Sequence, residues 1–485
     1  MSKYLTAIDL GTTKVVTAVG EMIPANTQGA TSDNISNVTG ANPYLIKVVA
    51  YEETPVNGIM RGEIFNIHKV AEALQTTINK AEEITHQRTC DVILGISGQF
   101  IRSELTTVNY RRSGGDNPIT KDELAKITGK AYSNQVASDE MILDVIPQYY
   151  NMPDVRGRSA EEIIGMNGKE IEAHLQLIIG KKSACVNREE VLKRCGLKAK
   201  RRILSPVASA KATLSEAEME NGVVLVDIGG GNTEVTIITG NTVREVAVIP
   251  FAGNAITEDI RHEANITSKW AELIKTSRGS CVMESSQENC RIVLKGDNSV
   301  NEGDIEFRLI VSVIEARMSE IFEAVRYIID NSDYAKKINA GVVLTGGSAY
   351  MEDILELAKV LLERKVRLGC PRRMLADSSQ EKSFDPYSSV AIGLLIEGFA
   401  QEPVPVITRE APQEQDSGVL PGFEPIREQA TDKAQPDDKK VERQEKPVQN
   451  TEARVPKPEK KKDKRKKDYS SIIRGLFDSP NDNEA

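Results

Sequence analysis

Two segments far apart in this chain of 485 residues, 6–21 (TAIDLGTTKVVTAVGE) and 223–238 (VVLVDIGGGNTEVTII), have nearly the same pattern. Each is an apolar run that contains Asp near its end, then a turn of small residues, then a second apolar run. This pattern predicts a β-hairpin whose turn leaves backbone N–H groups accessible to phosphate oxygens. A single glycine-rich hairpin is common, but two with Asp at the same place predict a nucleotide held between related halves.

A third glycine turn lies in residues 342–354 (VVLTGGSAYMEDI), which predict a strand, a Gly346-Gly347 turn and the start of a helix. Glycine has no Cβ, so the backbone of such a turn approaches a ligand closely. Alone, the segment is an ordinary connection between a strand and a helix. After two Asp-containing hairpins, we interpret it as a third nucleotide-binding turn.

Composition restricts the class of protein. The length allows two or more domains, no apolar run reaches the roughly 20 residues that a membrane-spanning helix needs, and the N-terminus lacks a secretion signal. Six cysteines without CxxC spacing predict reduced thiols in a cytosolic protein. Residues 457–467 have net charge +6, which leaves −15 for the rest of a chain whose total is −9. We therefore expect the basic end to contact a polyanion.

The sequence divides into a globular part, residues 1–400, and a polar segment, 401–467, predicted to be a disordered linker with a basic end. Residues 24–43 predict a long loop between two strands, and 278–304 an irregular region with a β excursion near 291–295. Helices are predicted at 70–85, 121–137, 188–195, 255–262, 268–277 and 305–330, and strands at 91–96, 102–108, 141–151, 174–179 and 342–345.

The motifs DLGTT, DIGGG and TGG, in this order, resemble the nucleotide signature of the actin, sugar-kinase and heat-shock-chaperone superfamily. Further segments resemble the FtsA family of bacterial cell-division proteins, and the resemblance covers about residues 1–400. These segments are 61–64 (RGEI), 94–98 (LGISG), 145–149 (VIPQY), 248–260 (VIPFAGNAITEDI), 271–281 (AELIKTSRGSC) and 386–395 (PYSSVAIGLL).

The resemblance implies an α/β, two-lobed actin-like fold with ribonuclease H-like halves, ATP between the lobes and an FtsA-type inserted subdomain. A disordered linker and a short C-terminal amphipathic helix follow. The implied boundaries are 1–86 with 166–203 and 373–400 (subdomain 1A), 87–165 (1C, inserted), 204–248 with 312–372 (2A), 249–311 (2B), 401–467 (linker) and 468–478 (amphipathic helix).

The resemblance also implies roles for single residues. Asp9 and Asp227 would bind Mg²⁺ and its waters, although each Asp alone also fits a local turn. The other implied ATP contacts are Gly11, Thr12, Thr13 and Lys14 at the first turn, Gly229, Gly230, Gly231, Asn232 and Thr233 at the second, Glu272 and Lys275 beside the adenosine, and Gly346, Gly347 and Ser348 beneath the nucleotide. Glu272 and Lys275 fit a surface ion pair equally well.

One departure bears on hydrolysis. The related filament protein MreB has Glu-Pro before its second hairpin, and that carboxylate helps to position the attacking water. This chain has Ser205-Pro206 at the corresponding place. Without the acid, phosphoryl transfer loses a contribution of about two or more decades in rate. We expect firm ATP binding and slow hydrolysis, with Thr233 as the candidate catalytic residue that holds the water.

The segment after the basic run predicts a short amphipathic helix, 468–478. Tyr469, Ile472, Ile473, Leu476 and Phe477 have the spacing of one helical face, with Arg474 on the other. A helix docked on the body or in a protein groove is the alternative, but the adjacent lysines favour an anionic membrane surface. Nucleic-acid binding is disfavoured because no aromatic residues alternate with the lysines.

The implied partners are the division protein FtsZ, bound at subdomain 2B, further copies of this chain in filaments, and later division proteins. The expected location is the cytoplasmic side of the cell membrane at the division site. Arg278 and Arg308 are candidate FtsZ contacts or ordinary surface charges, and the 24–43 loop and the region of Cys281 and Cys290 have no assigned role.

Related proteins offer alternatives. A sugar kinase needs a further catalytic Asp and a chaperone needs a C-terminal β domain, and the sequence supplies neither. A scaffold like the pilus-assembly protein PilM would not be expected to end in a linker and amphipathic tip.

Overall fold

The structure is a computed structural model that describes residues 4–24, 44–114, 117–283, 289–294 and 304–400. These residues belong to one compact unit, residues 1–402. The predicted linker 401–467, the predicted helix 468–478 and most of the 24–43 loop lie outside the described residues. No helix in the described ranges is both long enough and apolar enough to cross a bilayer.

Strands β1 to β18 follow one another along the described chain. They are β1 Leu5–Leu10, β2 Lys14–Pro24, β3 Tyr44–Pro55, β4 Ile59–Met60, β5 Glu63–Ile64, β6 Asp91–Ile96, β7 Arg102–Arg111, β8 Glu140–Met152, β9 Val155–Arg158, β10 Glu170–Lys181, β11 Lys198–Leu204, β12 Val223–Ile228, β13 Thr233–Thr239, β14 Thr242–Ile249, β15 Arg291–Val293, β16 Asp304–Glu306, β17 Gly341–Thr345 and β18 Val366–Leu368.

Helices α1 to α11 lie between and after these strands. They are α1 Ile67–Thr85, α2 Lys121–Ala131, α3 Ala160–Ile163, α4 Lys182–Arg194, α5 Ser205–Thr213, α6 Glu216–Asn221, α7 Gly253–Glu263, α8 Ser268–Arg278, α9 Phe307–Asn331, α10 Ile354–Leu362 and α11 Ser389–Ala400. Short 3₁₀ helices occur at Ala335–Lys337, Gly347–Tyr350, Glu381–Phe384 and Pro386–Ser388.

Two five-stranded sheets have the same topology. The first has the order β11-β6-β1-β2-β3 and the second β14-β13-β12-β17-β18. In both, three strands form an antiparallel meander. A fourth strand pairs in parallel with the first strand of the meander, and a fifth pairs in parallel with the fourth. The predicted hairpins, β1–β2 and β12–β13, lie at corresponding places. The two sheets therefore confirm the predicted pair of related halves, which we call the first and second lobes.

A third sheet, β7-β10-β8-β9, forms an insertion in the first lobe. The resemblance implies that the insertion ends at residue 165, but β10 pairs with both β7 and β8 and extends the sheet to Lys181. The apolar run in β10 fits either sheet, so only its long-range pairing places it in this one.

The insertion also covers the edge strand β14 of the second lobe. The hydroxyl of Ser103 donates to the Val246 carbonyl at 2.8 Å and accepts from the Val246 N–H at 3.1 Å. The Gln148 amide donates to the Val243 carbonyl at 2.9 Å, and Arg244 donates to the Gln148 carbonyl at 3.0 Å. The insertion thus contacts both lobes.

Several predicted helices have different ends in the structure. The helix predicted at 121–137 ends at Ala131, because the chain turns at Ser133 and the Asn134 amide bonds to Thr106 of β7 at 2.9 Å. The long helix predicted from residue 305 begins at Phe307, because Asp304–Glu306 pairs with β15 instead. Helix α4 begins at Lys182, six residues before the predicted start at Arg188.

Helices α5 and α11 cross between the two sheets. Gly393 of α11 lies against the Ala208 carbonyl of α5, where a Cβ would come within 1.8 Å of the oxygen. Helix α11 also packs on β1, β2 and β6. The close crossing therefore requires glycine at position 393 and joins the elements that carry the two hairpins.

Candidate functional site

A cleft of about 800 Å³ lies between the two hairpins. Its lining includes every residue predicted to bind ATP except Thr233. The lining residues are Asp9, Gly11, Thr12, Thr13, Lys14, Ser97, Ser205, Asp227, Gly229, Gly230, Gly231, Asn232, Glu234, Asn254, Glu272, Lys275, Thr276, Ser277, Arg278, Gly279, Gly346, Gly347, Ser348, Tyr350, Met351, Glu352, Tyr387, Ser389 and Val390.

The two hairpin turns are built in the same way. The Gly11 N–H donates to the Lys14 carbonyl at 3.1 Å, and the Gly229 N–H donates to the Asn232 carbonyl at 3.0 Å. Each bond closes a four-residue turn between antiparallel strands. The sequence repeat is therefore also a repeat of backbone hydrogen bonding at the cleft.

The turns face each other at close range. A Cβ added to Gly230 would lie 2.4 Å from the Thr13 Cγ2 atom, and one added to Gly231 would lie 2.5 Å from the Thr12 Oγ1 atom. Larger residues at 230 or 231 would push the two hairpins apart. The glycines thus allow threonines of one lobe to contact the turn of the other.

The third glycine turn joins the second hairpin. The Ser348 hydroxyl donates to the Gly229 carbonyl at 2.9 Å. Gly346 has φ +89°, and a Cβ there would lie 2.4 Å from Asp227 Oδ1 and 2.6 Å from the Ile228 carbonyl oxygen. Both the backbone conformation and the space require glycine. The three predicted turns therefore meet in one place, as the sequence predicts.

Three of the carboxyl groups that line the cleft, those of Asp9, Asp227 and Glu234, have raised pKa values. Burial raises the pKa of Asp9 to about 6, although Arg188 and Lys14 act in the opposite direction. Burial, with the nearby Asp9, raises the pKa of Asp227 to about 7. Glu234 is only 7% exposed, and burial together with Asp227 and Asp9 raises its pKa well above the usual range. Repulsion among the acids shows that the cleft favours a proton or a cation.

The oxygens of the buried acids are suitable ligands for a hard cation. Asp227 Oδ2 is buried without a hydrogen-bond partner, as is Asn232 Oδ1. A buried oxygen without a partner costs about 1–3 kcal/mol, and Mg²⁺ binds through one or two carboxylates plus phosphate oxygens and waters. Within the described ranges, no three His, Cys, Asp or Glu side chains are grouped to hold a metal by themselves. Asp9 and Asp227 would therefore need phosphate oxygens or waters to complete a magnesium site.

The predicted lysines have protein partners. Lys14 Nζ lies 2.6 Å from Glu53 Oε2 and 3.8 Å from the centroid of the Tyr387 ring. Lys275 Nζ lies 2.7 Å from Glu272 Oε2 and donates to the Gly253 carbonyl at 3.0 Å. Burial lowers the pKa of Lys275. Glu272 and Lys275 thus form the i,i+3 ion pair and also line the cleft, so both interpretations of this pair are compatible with the geometry.

Thr233, the candidate catalytic residue, does not reach the cleft. Its side chain is fully buried, and its hydroxyl donates to the Phe251 carbonyl at 3.0 Å. Because side chains alternate along a strand, the neighbouring Glu234 faces the cleft instead. Sequence reasoning missed Glu234, although the register of the hairpin, which pairs it with Asp227, gives the signal.

Arg188 is the second residue that the sequence analysis missed. It is 1% exposed and donates to the carbonyls of Gly62 at 2.8 Å and Ser97 at 2.6 Å. These carbonyls belong to the RGEI and LGISG segments, so one guanidinium joins two of the motifs. Its charge also lies near Asp9 and Glu234, where it opposes the rise in their pKa values.

Comparison with known proteins identifies the family. The family model described as "Cell division protein FtsA" matches residues 224–393. The FtsA of Neisseria meningitidis serogroup B is 31% identical over 396 residues, which cover 81% of this chain and 89% of that protein. The FtsA of Pseudomonas aeruginosa is 31% identical over 405 residues, which cover 82% of this chain and 90% of that protein.

The chain belongs to the FtsA family of cell-division proteins. This result confirms the resemblance found in the sequence. The structure of a "PilM-PilN type IV pilus biogenesis complex" has a TM-score of 0.54 at 16% identity, covering 82% of this chain and 99% of that chain. That likeness shows the fold alone, and it confirms the predicted actin-like α/β architecture for this FtsA-family chain.

Gly346→Ala should weaken binding of an adenine nucleotide, because the new Cβ would collide with Asp227 and the strained φ would move the third turn. Binding of a fluorescent ATP analogue measures the effect, and we expect affinity to fall at least tenfold. Gly129→Ala is the matched control, since a Cβ there meets nothing within 4 Å. Equal affinities of the two variants would contradict the role given to this turn.

Stability should depend on pH through Asp9 and Asp227. Each carboxyl binds its proton more tightly in the folded protein than in the unfolded chain. The contribution of these two carboxyl groups to the free energy of unfolding is therefore fully present below about pH 4. It is lost as the pH rises through about 6 and 7. With divalent cations chelated, Asp227→Asn should raise the melting temperature more at pH 8 than at pH 5.

The exposed Asp154→Asn is the control for this measurement and should shift the melting temperature equally at the two pH values. An equal shift for Asp227→Asn would contradict the prediction.

Proposed function

We propose that this chain binds ATP with Mg²⁺ in the cleft between its lobes and uses the nucleotide as a switch for polymerisation. The observation that supports this proposal most is the meeting of three glycine turns around Asp9 and Asp227. Turns without side chains suit phosphate oxygens, and twin carboxylates suit the hydrated magnesium that accompanies them. Magnesium would offset the charge of the phosphates.

In this proposal, Thr12, Thr13 and Lys14 bind the phosphates from one side and Gly229 to Asn232 bind them from the other. Glu272 and Lys275 flank the adenosine, and the turn of Gly346, Gly347 and Ser348 lies beneath the nucleotide. Because both lobes contact the same phosphates, bound ATP would fix the angle between them. The replacement of Glu-Pro by Ser205-Pro206 supports slow hydrolysis, so the ATP-bound form would last long enough to assemble.

We further propose that filaments of this chain link FtsZ to the cytoplasmic membrane and recruit later division proteins. Membership of the FtsA family supports this role. The C-terminal sequence supports membrane contact: an apolar stripe at 469, 472, 473, 476 and 477 follows eleven residues of net charge +6. The protein would then lie at the division site on the cytoplasmic face.

The membrane segment would bind weakly by itself. Each basic residue near an anionic surface contributes about 1 kcal/mol, and partial burial of five apolar side chains adds several kcal/mol. Ordering a short helix with an internal Gly475 opposes much of this gain. Many such segments on one filament would bind with an avidity about 10²–10⁴-fold higher. Polymerisation and membrane attachment would therefore strengthen each other.

Calorimetry tests the nucleotide site. ATP with MgCl₂ should release heat with one site per chain, and omission of Mg²⁺ should weaken binding because the acids and phosphates then repel each other. Asp227→Ala should remove the magnesium dependence, whereas the exposed Asp154→Ala should not. Absence of any heat with ATP and Mg²⁺ would refute the proposed function.

Co-sedimentation with vesicles tests the membrane segment. The full chain should sediment with phosphatidylglycerol vesicles, and a chain that ends at Asp468 should remain in the supernatant. Ile473→Asp places a charge in the apolar stripe and should release the protein, while the matched Ser471→Asp on the other face should have a small effect. Sedimentation of the shortened chain would exclude this segment as the anchor.

Binding of the acidic C-terminal peptide of FtsZ tests the link to division. Arg308 is exposed at the start of α9, whereas Arg278 lines the ATP cleft. Arg308→Glu should lower peptide affinity about tenfold through loss of charge attraction. Arg111→Glu, an exposed arginine of the insertion, is the matched control. Equal affinities would exclude Arg308 as a contact, and absence of binding by the unaltered chain would exclude the link itself.

A further inference from the structure

Glu234 is a buried acid for which the proposed nucleotide contacts have no use. It lies on β13 directly opposite Asp227 of β12 and lines the cleft. Residues opposite each other in an antiparallel pair project to the same face, and like charges there are destabilising. Two carboxylates side by side in a buried place indicate a function, because folding alone disfavours them.

The direction of the Glu234 carboxylate is fixed by the first lobe. The backbone N–H of Gly98 donates a hydrogen bond to it. Gly98 follows Ser97, whose carbonyl accepts from the buried Arg188. This chain of contacts holds the Glu234 side chain at the place where the two lobes meet. A carboxylate still has lone pairs free after one such bond.

Ser205 supplies a second polar group in the same cleft. Its side chain is 1% exposed, and its hydroxyl oxygen is buried without a hydrogen-bond partner. Ser205 also lines the cleft. An unpaired hydroxyl and an oriented carboxylate, both facing one polar cavity, are suitable partners for a water molecule.

We infer that Glu234 and Ser205 hold the water that attacks the γ-phosphate of ATP, so that the slow hydrolysis that remains without a Glu-Pro acid depends on Glu234. The inference rests on the proposed ATP site. The water donates a hydrogen bond to Glu234, and this bond fixes the direction of the lone pair on the water oxygen. Its oxygen forms a bond to Pγ, the bond from Pγ to the β,γ-bridging oxygen breaks with its electron pair going to ADP, and the water proton passes to the released phosphate.

The test is single-turnover phosphate release by the full chain with radiolabelled ATP and MgCl₂, with ATP affinity measured in parallel. Glu234→Gln should lower the rate at least tenfold and change the Kd less than threefold. Glu234→Asp, which keeps the carboxylate, should recover part of the rate. Glu245→Gln on the adjacent strand β14 is the matched control, and it should leave rate and Kd unchanged because Glu245 does not line the cleft.

Ser205→Ala is the second variant, since it removes only a hydroxyl. It should lower the rate several-fold at unchanged Kd, even where Glu234→Gln fails to fold. Wild-type rates in either variant at unchanged Kd, or a parallel loss of affinity, would overturn the inference. ATP binding without measurable hydrolysis by the unaltered chain would also overturn it. Absence of ATP binding by the unaltered chain would instead overturn the proposed function.

Discussion

The arrangement of this cleft depends on the burial of like charges. Asp9, Asp227 and Glu234 come from three strands and lie in one low-dielectric space, and the buried guanidinium of Arg188 lies near two of them, Asp9 and Glu234. Buried charges of one sign destabilise the folded chain unless a proton, a cation or a partner offsets them. Arg188 offsets part of this repulsion and at the same time bonds the carbonyls of Gly62 and Ser97. The repulsion that Arg188 does not offset is a driving force for binding a cation.

The repeated topology explains how the chain brings these groups together. In each lobe the first strand is central, with an antiparallel neighbour on one side and a parallel one on the other. Asp9 and Asp227 lie one residue before the end of their strands, so equivalent positions of two sheets reach the same cleft. The crossing of α5 and α11 at Gly393 holds the sheets at the distance where the turns touch.

Much of this arrangement is predictable from the sequence. Short-range signals suffice for the hairpins, because alternating apolar residues and small turns specify them locally. They also suffice for the three glycine turns, each of which carries its own pattern. The same signals do not show Arg188, whose role comes from contacts with residues 126 and 91 positions away. They also do not assign β10 to the insertion, since its partners are selected by tertiary pairing.

Thr233 and Glu234 show the same limit at the scale of one residue. Both follow the second turn, and residue type alone does not decide which of them faces the cleft. Only the pleat of β13 decides between them, because it directs Thr233 into the lobe toward Phe251 and Glu234 toward the cleft. A prediction that includes hairpin register, and not only motif identity, would have selected the acid.

The contact between Ser103 and Val246 has a consequence beyond the coupling of the insertion to the second lobe. Strand β14 ends its sheet, and a sheet edge offers unpaired N–H and C=O groups to any passing strand. One serine hydroxyl engages both backbone groups of Val246, and Gln148 engages Val243 on the same strand. The insertion thus covers a sheet edge with which another strand could otherwise pair. Any association between copies of this chain would therefore use surfaces other than the edge of β14.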